Sequence, residues 1–339
     1  MMHAIVMHTP GDPSVLQYVE LPKPQLNSST ALLVQLKAAG VNPVDTKIRA
    51  KGPMLINTNS PTVLGCDGAG IVTAIGSEVT RFNPGDAVWF CYGGLGGLTG
   101  NYADYILIDE TIAQPMPHTL DFIHAAAAPL VLITAWEALY DRAQLHSNQT
   151  VLIHGGAGGV GHVAIQLACL RGARVATTIS NNEKAALVRE LGAECVINYR
   201  DTDMNTAIAE WTQGRGVDVV LDTIGPEVFR QSIPLVAPYG NLVTILNPGG
   251  EFDWIEARVR NLRISLELML TPQLRTLPDA LLAQGRILQH CAQWFDSNQL
   301  RIHIAATMPL AEAAAAHQQL EAGGMMGKLV LTPTIANAV

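Results

Sequence analysis

Three glycines carry the strongest chemical signal in the chain. Gly156, Gly158 and Gly161 lie in "HGGAGGVG", directly after the apolar "TVLI" and at the start of "GVGHVAIQLACLRG", which reads as a helix. G-x-G-x-x-G after a strand and opening a helix is the fingerprint of a dinucleotide site. One glycine makes the tight turn, another lets backbone N–H groups reach a pyrophosphate, and a third lets helix and sheet pack closely. Gly159 and Val160 fall in the first helical turn, whose unpaired N–H groups and partial positive charge favour an anion. The competing reading is a glycine-rich turn with no ligand. An NAD site places Asp or Glu about 20 residues further on, for the ribose 2′-hydroxyl. Here the second strand ends in "ATTISNNEK", with Ile179 and Ser180 at its end and no carboxylate. Ser180 and Lys184 could instead hold a 2′-phosphate, by hydroxyl and ammonium, which favours NADPH. Glu183 is the counter-signal, although it falls on the following helix. Both Glu183 and Lys184 also read as solvated helix residues.

Such residues need a scaffold of strands and helices, and the second part of the chain alternates them. "TVLIH", "ARVATTI", "ECVIN", "VDVVLDTI" and "NLVTI" are separated by helix-like stretches such as "NEKAALVRELG" and "MNTAIAEWTQG". That alternation predicts an α/β fold with a parallel sheet covered on both faces. The N-terminal third differs. Short apolar runs such as "ALLVQLKAAGV" and "AGIVTAIG" are punctuated by "TPGDPS", "NPVD" and "NPGD", which predicts a compact β barrel. The long "DFIHAAAAPLVLITAWEALYDRA" reads as a helix with Asp121 as its N-cap. The expected domains are 1–122 with 291–339, and 123–290.

Composition narrows the function classes. The net charge is −8 with no basic run, which argues against nucleic acid and anionic membrane surfaces as partners. No stretch approaches the ~18 consecutive apolar residues of a membrane span. The first residues lack the pattern of a signal peptide. Five scattered cysteines without a CxxC pair fit reduced thiols in the cytoplasm.

Several stretches together resemble one family. They are "AAGVNPVDTKIRAKGP" (38–53), "PTVLGCDGAGIVTAIGSEVTRFNPGDAV" (61–88), "AAAAPLVLITAWEAL" (125–139), "VLIHGGAGGVGHVAIQLA" (151–168), "LGAECVINYR" (191–200), "VDVVLDTIG" (217–225) and "GKLVL" (327–331). In this order they resemble the zinc-free quinone oxidoreductase branch of the medium-chain dehydrogenase/reductase superfamily. The resemblance implies a GroES-like barrel domain joined to a Rossmann domain, with the active site in the cleft between them. The zinc alcohol dehydrogenases of that superfamily have a cysteine at the place of Asn42. They have a histidine, in G-H-E-x-x-G, at the place of Cys66, and a second cysteine near Leu130. Asn and Leu supply no thiolates for a catalytic zinc, so no metal is expected.

The resemblance also implies roles for single residues. Asn42 and Asp45 would lie beside nicotinamide and substrate, Asn42 donating to a developing oxyanion and Asp45 orienting Asn42 or Lys47, or serving only as a local cap in the turn. Many relatives carry Tyr at the place of Lys47, which leaves Lys47 either an oxyanion partner or a solvent-facing residue. Thr134 matches a contact on the nicotinamide side, and Tyr199 a contact to the 2′-phosphate. Tyr92 is a candidate for the acceptor pocket. The expected function is zinc-independent transfer of hydride from NADPH to a small electrophilic acceptor, a quinone. Reduction of the C=C bond of enals and enones, or binding of NADPH with little turnover, are the alternatives. "NLRISLELML" (261–270) is apolar and strand-like at the end of the series, which points to a homodimer.

Overall fold

The structure is a computed structural model that describes residues 1–55 and 61–333. The chain divides into two compact units, Met1–Leu130 with Leu270–Val339, and Val131–Met269. The first unit contains β1 (Met2–Met7), β2 (Gln17–Leu21), β3 (Ala31–Val41), α1 (Pro43–Lys51), β4 (Thr62–Val63), β5 (Asp67–Ile75), β6 (Ala87–Cys91), β7 (Tyr105–Asp109), β8 (Gln114–Pro115) and α2 (Phe122–Ala127). The next helix, α3 (Pro129–Trp136), runs into the second unit. That unit holds β9 (Thr150–Ile153), α4 (Gly159–Leu170), β10 (Arg174–Ile179), α5 (Glu183–Glu190), β11 (Cys195–Asn198), α6 (Met204–Thr212), β12 (Val217–Asp222), α7 (Pro226–Ser232), β13 (Val236–Thr244), α8 (Ile255–Val259) and β14 (Arg263–Leu266). The first unit resumes with α9 (Thr271–Leu274), α10 (Pro278–Asp296), β15 (Ile304–Pro309), α11 (Ala313–Ala322) and β16 (Lys328–Thr332).

In the first unit β2-β1-β4 form one sheet, and β15-β16-β3-β5-β6-β8 another, with β7 also on β3. These short, mostly antiparallel strands are the barrel that the turn-punctuated N-terminal third predicts. β3 anchors it, since it pairs with β5, β7 and β16 and is buried along most of its length. Trp89, Phe90, Tyr102 and Phe295 fill the core, with Trp89 edge-on to Phe295. The second unit is the expected parallel sheet, in the order β11-β10-β9-β12-β13-β14. The chain enters at β9, winds outward through β10 and β11, then crosses to β12 on the other side. Sheets of this winding bind ligands beyond the carboxyl ends of their strands, where the winding reverses. Leu152, Val220, Phe229 and Leu242 lie in its core. Among the described residues no helix is long and apolar enough to cross a membrane.

Two expectations differ from the structure. The single helix expected over "DFIHAAAAPLVLITAWEALYDRA" breaks at Ala128, before Pro129, whose ring and missing N–H cannot continue a helix. Asp121 does cap the first piece, accepting the His124 N–H at 2.8 Å. The expected boundaries at 122/123 and 290/291 also move. α2 packs on β3 and β5, and α10 on β8, so both helices belong to the first unit.

Candidate functional site

The glycine stretch occupies the end of β9 and the start of α4. A Cβ at Gly156 would collide with the Thr177 hydroxyl, and one at Gly161 with the Gly155 carbonyl. Glycine is therefore required by close approach of backbone to neighbouring chain. The turn is tied to β10: Gly155 N–H donates to Thr178 Oγ1 at 3.0 Å, and Gly156 N–H to Thr178 O at 3.1 Å. Gly158 is the N-cap residue, and no side chain caps α4. The first-turn N–H groups of Gly159, Val160 and Gly161 thus point past the helix end without a capping group. His154 and His162 brace this turn. His154 Nε2 lies 2.9 Å from Ser232 Oγ, and burial pulls its pKa down to about 4, so it is neutral. His162 Nδ1 donates to Gly158 O at 2.9 Å.

One strand over, the sequence-predicted phosphate residues come together. Ser180 follows β10, and Lys184 lies in the first turn of α5. Its Nζ donates to Ser180 Oγ at 2.9 Å. Tyr199 N–H donates to Ile179 O at 3.2 Å, which sets Tyr199 beside the end of β10 with an exposed ring. Burial lowers the Lys184 pKa, the Arg200 charge lowers it further, and Glu183 opposes them. Arg200 is an addition that sequence reasoning missed, although it ends the stretch "LGAECVINYR". Two neighbouring cations, one of them hydrogen-bonded to a hydroxyl, suit an anion with two negative charges. Thr134 is buried on α3 in the same unit.

A second constellation lies in the first unit, where β3 meets α1. Asn42 Nδ2 donates to Asp67 Oδ2 at 2.9 Å, and Asn42 Oδ1 accepts from the Lys328 ammonium. Asn42 N–H donates to Asp45 Oδ2 at 2.8 Å, and Asp45 N–H donates back to Asn42 O at 3.0 Å. This reciprocal pair, with Pro43 in the first helical position, starts α1. Lys328 also donates to Val41 O at 3.1 Å and lies 3.9 Å from Asp67 Oδ2. The pairing of Leu329 with Val41 brings this lysine to Asn42 from the far end of the chain. Asp67 Oδ1 takes the Leu130 N–H at 2.8 Å. Asp45 accepts the Tyr102 hydroxyl at 3.2 Å, and that hydroxyl lies 3.2 Å from His317 Nε2.

Burial controls the charges here. It pushes Asp45 up to about 7; Asp67 adds to the rise, while the Asn42 N–H, Lys328 and Tyr102 oppose it. It also raises Asp67 and lowers Lys328, while the attraction between those two works the other way. The Cys66 and Cys91 thiols are driven well up by burial and by the neighbouring carboxylates, so both stay protonated.

Asn42 and Asp45 do meet, but neither has exposed surface. Both ends of the Asn42 amide are engaged inside the protein, by Asp67 and by Lys328. Lys47 is exposed on α1, two residues from Asp45 and therefore on another side of the helix. The cation beside Asn42 is Lys328 instead. A lysine opening the apolar run "KLVL" was the available signal, because a lysine in a buried strand needs a partner. Tyr92 is half-buried in the loop after β6; its N–H donates to Cys66 O at 2.7 Å, and its carbonyl takes Asn101 Nδ2 at 2.8 Å. Among the described residues no three His, Cys, Asp or Glu side chains are grouped to hold a metal ion.

A barrel unit with a buried polar cluster, and a doubly wound unit with an uncapped glycine turn, define a two-domain dehydrogenase or reductase that binds a dinucleotide. Residues 28–118 match the alcohol dehydrogenase GroES-like domain, and residues 191–331 the zinc-binding dehydrogenase domain. A quinone oxidoreductase of Pseudomonas aeruginosa is 33% identical, over 95% of this chain and 97% of its own. A 2-haloacrylate reductase of a Burkholderia species is 33% identical, over 98% and 99%. The crystal structure of Escherichia coli quinone oxidoreductase complexed with NADPH superposes with a TM-score of 0.85 at 28% identity, over 98% of this chain and 100% of that one. The chain belongs to the medium-chain dehydrogenase/reductase superfamily, in its quinone oxidoreductase branch.

Proposed function

We propose that this protein transfers hydride from NADPH to quinones without a catalytic zinc. The observation that carries the cofactor assignment is the Lys184–Ser180 pair, 2.9 Å apart at the end of β10 where no carboxylate stands. Its support is the fit of the whole second unit to a dinucleotide. Gly156 and Gly161 leave no Cβ in the turn, and α4 starts without a side-chain cap. Gly158, Gly159, Val160 and Gly161 receive the pyrophosphate; Ser180 and Lys184, with Tyr199 and Arg200 beside them, receive the 2′-phosphate. When bound, NADPH supplies the hydride.

The first unit holds the Asn42 cluster rigid by buried hydrogen bonds. Asn42 and Asp45 act as positioning residues: Lys328 and Asp67 hold the Asn42 amide, and Asp45 fixes the first turn of α1. Leu130 offers no metal donor, and the Asn42 amide is engaged with Lys328 and Asp67. Both features support zinc independence. Leu266 and Leu268, exposed at the β14 edge of the sheet, support a homodimer. Free cysteines support a cytoplasmic location.

The name of the Burkholderia relative favours a second reading, reduction of an activated C=C bond. One experiment separates them. NADPH consumption is followed with a panel of quinones, enals and enones, with and without a chelator, and the enone products are identified. Quinone-dependent turnover unaffected by chelation is expected. Turnover restricted to enones with a saturated carbonyl product transfers the assignment to the second reading, and activity lost on chelation refutes zinc independence.

A further inference from the structure

His154 directly follows β9, and each of its polar atoms is engaged inside the second unit. Its N–H donates to Leu221 O at 3.0 Å, and its carbonyl accepts the Thr223 hydroxyl at 2.7 Å. Its ring nitrogens reach two further elements. Nε2 lies 2.9 Å from Ser232 Oγ on α7, and Nδ1 lies 3.3 Å from Thr178 Oγ1 on β10. His154, Thr178 and Ser232 are all buried. Burial is what lowers the His154 pKa, with no charge contributing to the shift. The imidazole is therefore neutral and carries a hydrogen on one nitrogen only.

The hydroxyls decide which nitrogen. Ser232 Oγ has a single hydrogen and donates it to Val228 O at 2.6 Å, so toward Nε2 it accepts. Nε2 thus carries the hydrogen, and Nδ1 is an acceptor. The Thr178 hydroxyl donates to Nδ1, while its oxygen accepts the Gly155 N–H at 3.0 Å. The opposite tautomer would leave the buried Thr178 hydroxyl hydrogen without an acceptor among the described residues, a costly state. The order continues into the glycine turn. Gly155 has a φ of 66°, a conformation that favours glycine, and its carbonyl accepts the N–H of Gly158, the N-cap of α4, at 2.9 Å. Every donor in the chain points the same way: Gly158 to Gly155, Gly155 to Thr178, Thr178 to His154, and His154 to Ser232.

We infer that His154 is a positioning residue for the cofactor: as the Nε2–H tautomer it ties the glycine turn to Ser232 on α7, and so sets the affinity for NADPH and NADH alike. This rests on the glycine turn receiving the pyrophosphate. The chain fixes the Gly155 peptide, and with it the direction of the uncapped N–H groups that follow at the start of α4. Pyrophosphate is common to both cofactors, so the chain acts without regard to the 2′-phosphate. Ser232 hydrogen-bonds to the turn through the His154 ring, which makes α7 part of the support of the site.

Two readouts test it. The first needs no variant beyond assignment: in protein labelled with 15N at histidine, long-range 1H–15N correlation reads the tautomer of the His154 ring at neutral pH, its signals assigned by their loss in His154→Gln. A hydrogen on Nε2 and none on Nδ1 is expected, and the reverse overturns the assignment. The second is the dissociation constants of NADPH and NADH, by nicotinamide fluorescence. Ser232→Ala is expected to weaken both cofactors equally, by about three- to ten-fold. Thr178→Val should weaken both at least as much, while Thr178→Ser, which keeps the hydroxyl, stays within about two-fold of wild type. Adding Ser232→Ala to Thr178→Val should cost less than about two-fold more, because both act through one ring. A contact that merely supports the fold would lower stability without this coupling. Losses that multiply in the double variant, or a loss confined to NADPH, overturn the assignment. Wild-type protein that binds neither cofactor overturns the reading of the glycine turn and this one together; a wild type that binds both beside an unchanged Ser232→Ala overturns this one alone.

Discussion

Replacing Lys184 tests the cofactor assignment most directly. Lys184 is 9% exposed as a residue and its Nζ lies 2.9 Å from Ser180 Oγ, so its contact with a 2′-phosphate is partly shielded from solvent. Hydrogen bonds to charged groups contribute roughly 1.5–3 kcal/mol, and each ~1.4 kcal/mol is tenfold in affinity. Arg200 stays behind to neutralise part of the phosphate charge, which places Lys184→Ala toward the low end. The expected result is a weakening of NADPH by about ten- to thirty-fold, with NADH changed by less than about two-fold. NADH has no phosphate at this place and gains nothing from the lysine. Both dissociation constants are read by nicotinamide fluorescence at low ionic strength. Adding salt to the wild type should narrow its preference for NADPH, since Arg200 is exposed and screened. Equal wild-type affinity for the two cofactors refutes the 2′-phosphate site. A loss shared equally by both cofactors moves Lys184 to the pyrophosphate or to the fold.

The remaining expectations concern the first unit and assembly. Asp45 titrates near 7 in the folded protein and near 3.9 unfolded, so the native state binds the extra proton between those values. Stability should fall as pH rises through that window, by an amount on the order of a few kcal/mol, and stay lower above it. In Asp45→Asn this fall should be absent, and thermal melts at pH 5 and 8 that decline equally in variant and wild type contradict the reasoning. Lys328→Met leaves Asp67 buried without its cation and should cost roughly 3–5 kcal/mol in urea unfolding. A loss below about 1 kcal/mol would mean that Asp67 is already protonated. Light scattering at micromolar concentration should give twice the chain mass; a monomer mass rejects pairing through β14.

The tertiary structure explains why some of these residues escaped notice in the sequence. "ALLVQLKAAGV" runs along all of β3, because its apolar residues suit a strand buried within a sheet. "NLRISLELML" yields only the short β14, Arg263–Leu266, because α9 begins at Thr271 and the chain turns back into the first unit. The split of the long alanine-rich helix followed from one proline, a local feature that the hydrophobic run concealed.

Local order, then, is what the sequence determines by itself. The glycine turn lies between adjacent elements, and Ser180 and Lys184 stand four residues apart at a strand end and the first turn of the next helix. Short-range geometry brings such pairs together in any α/β unit of this winding. The buried cluster is of another kind. Lys328 reaches Asn42 across 286 residues, His317 reaches Tyr102 across 215, and Gln273 reaches Gly93 across 180. Those contacts exist because the last part of the chain returns to the barrel and β16 pairs antiparallel with β3. Strand pairing sets which side chain meets which, and burial then sets their protonation. Neither is written in the spacing of residues along the chain, so only the folded structure could decide that the cation beside Asn42 is Lys328 and not Lys47.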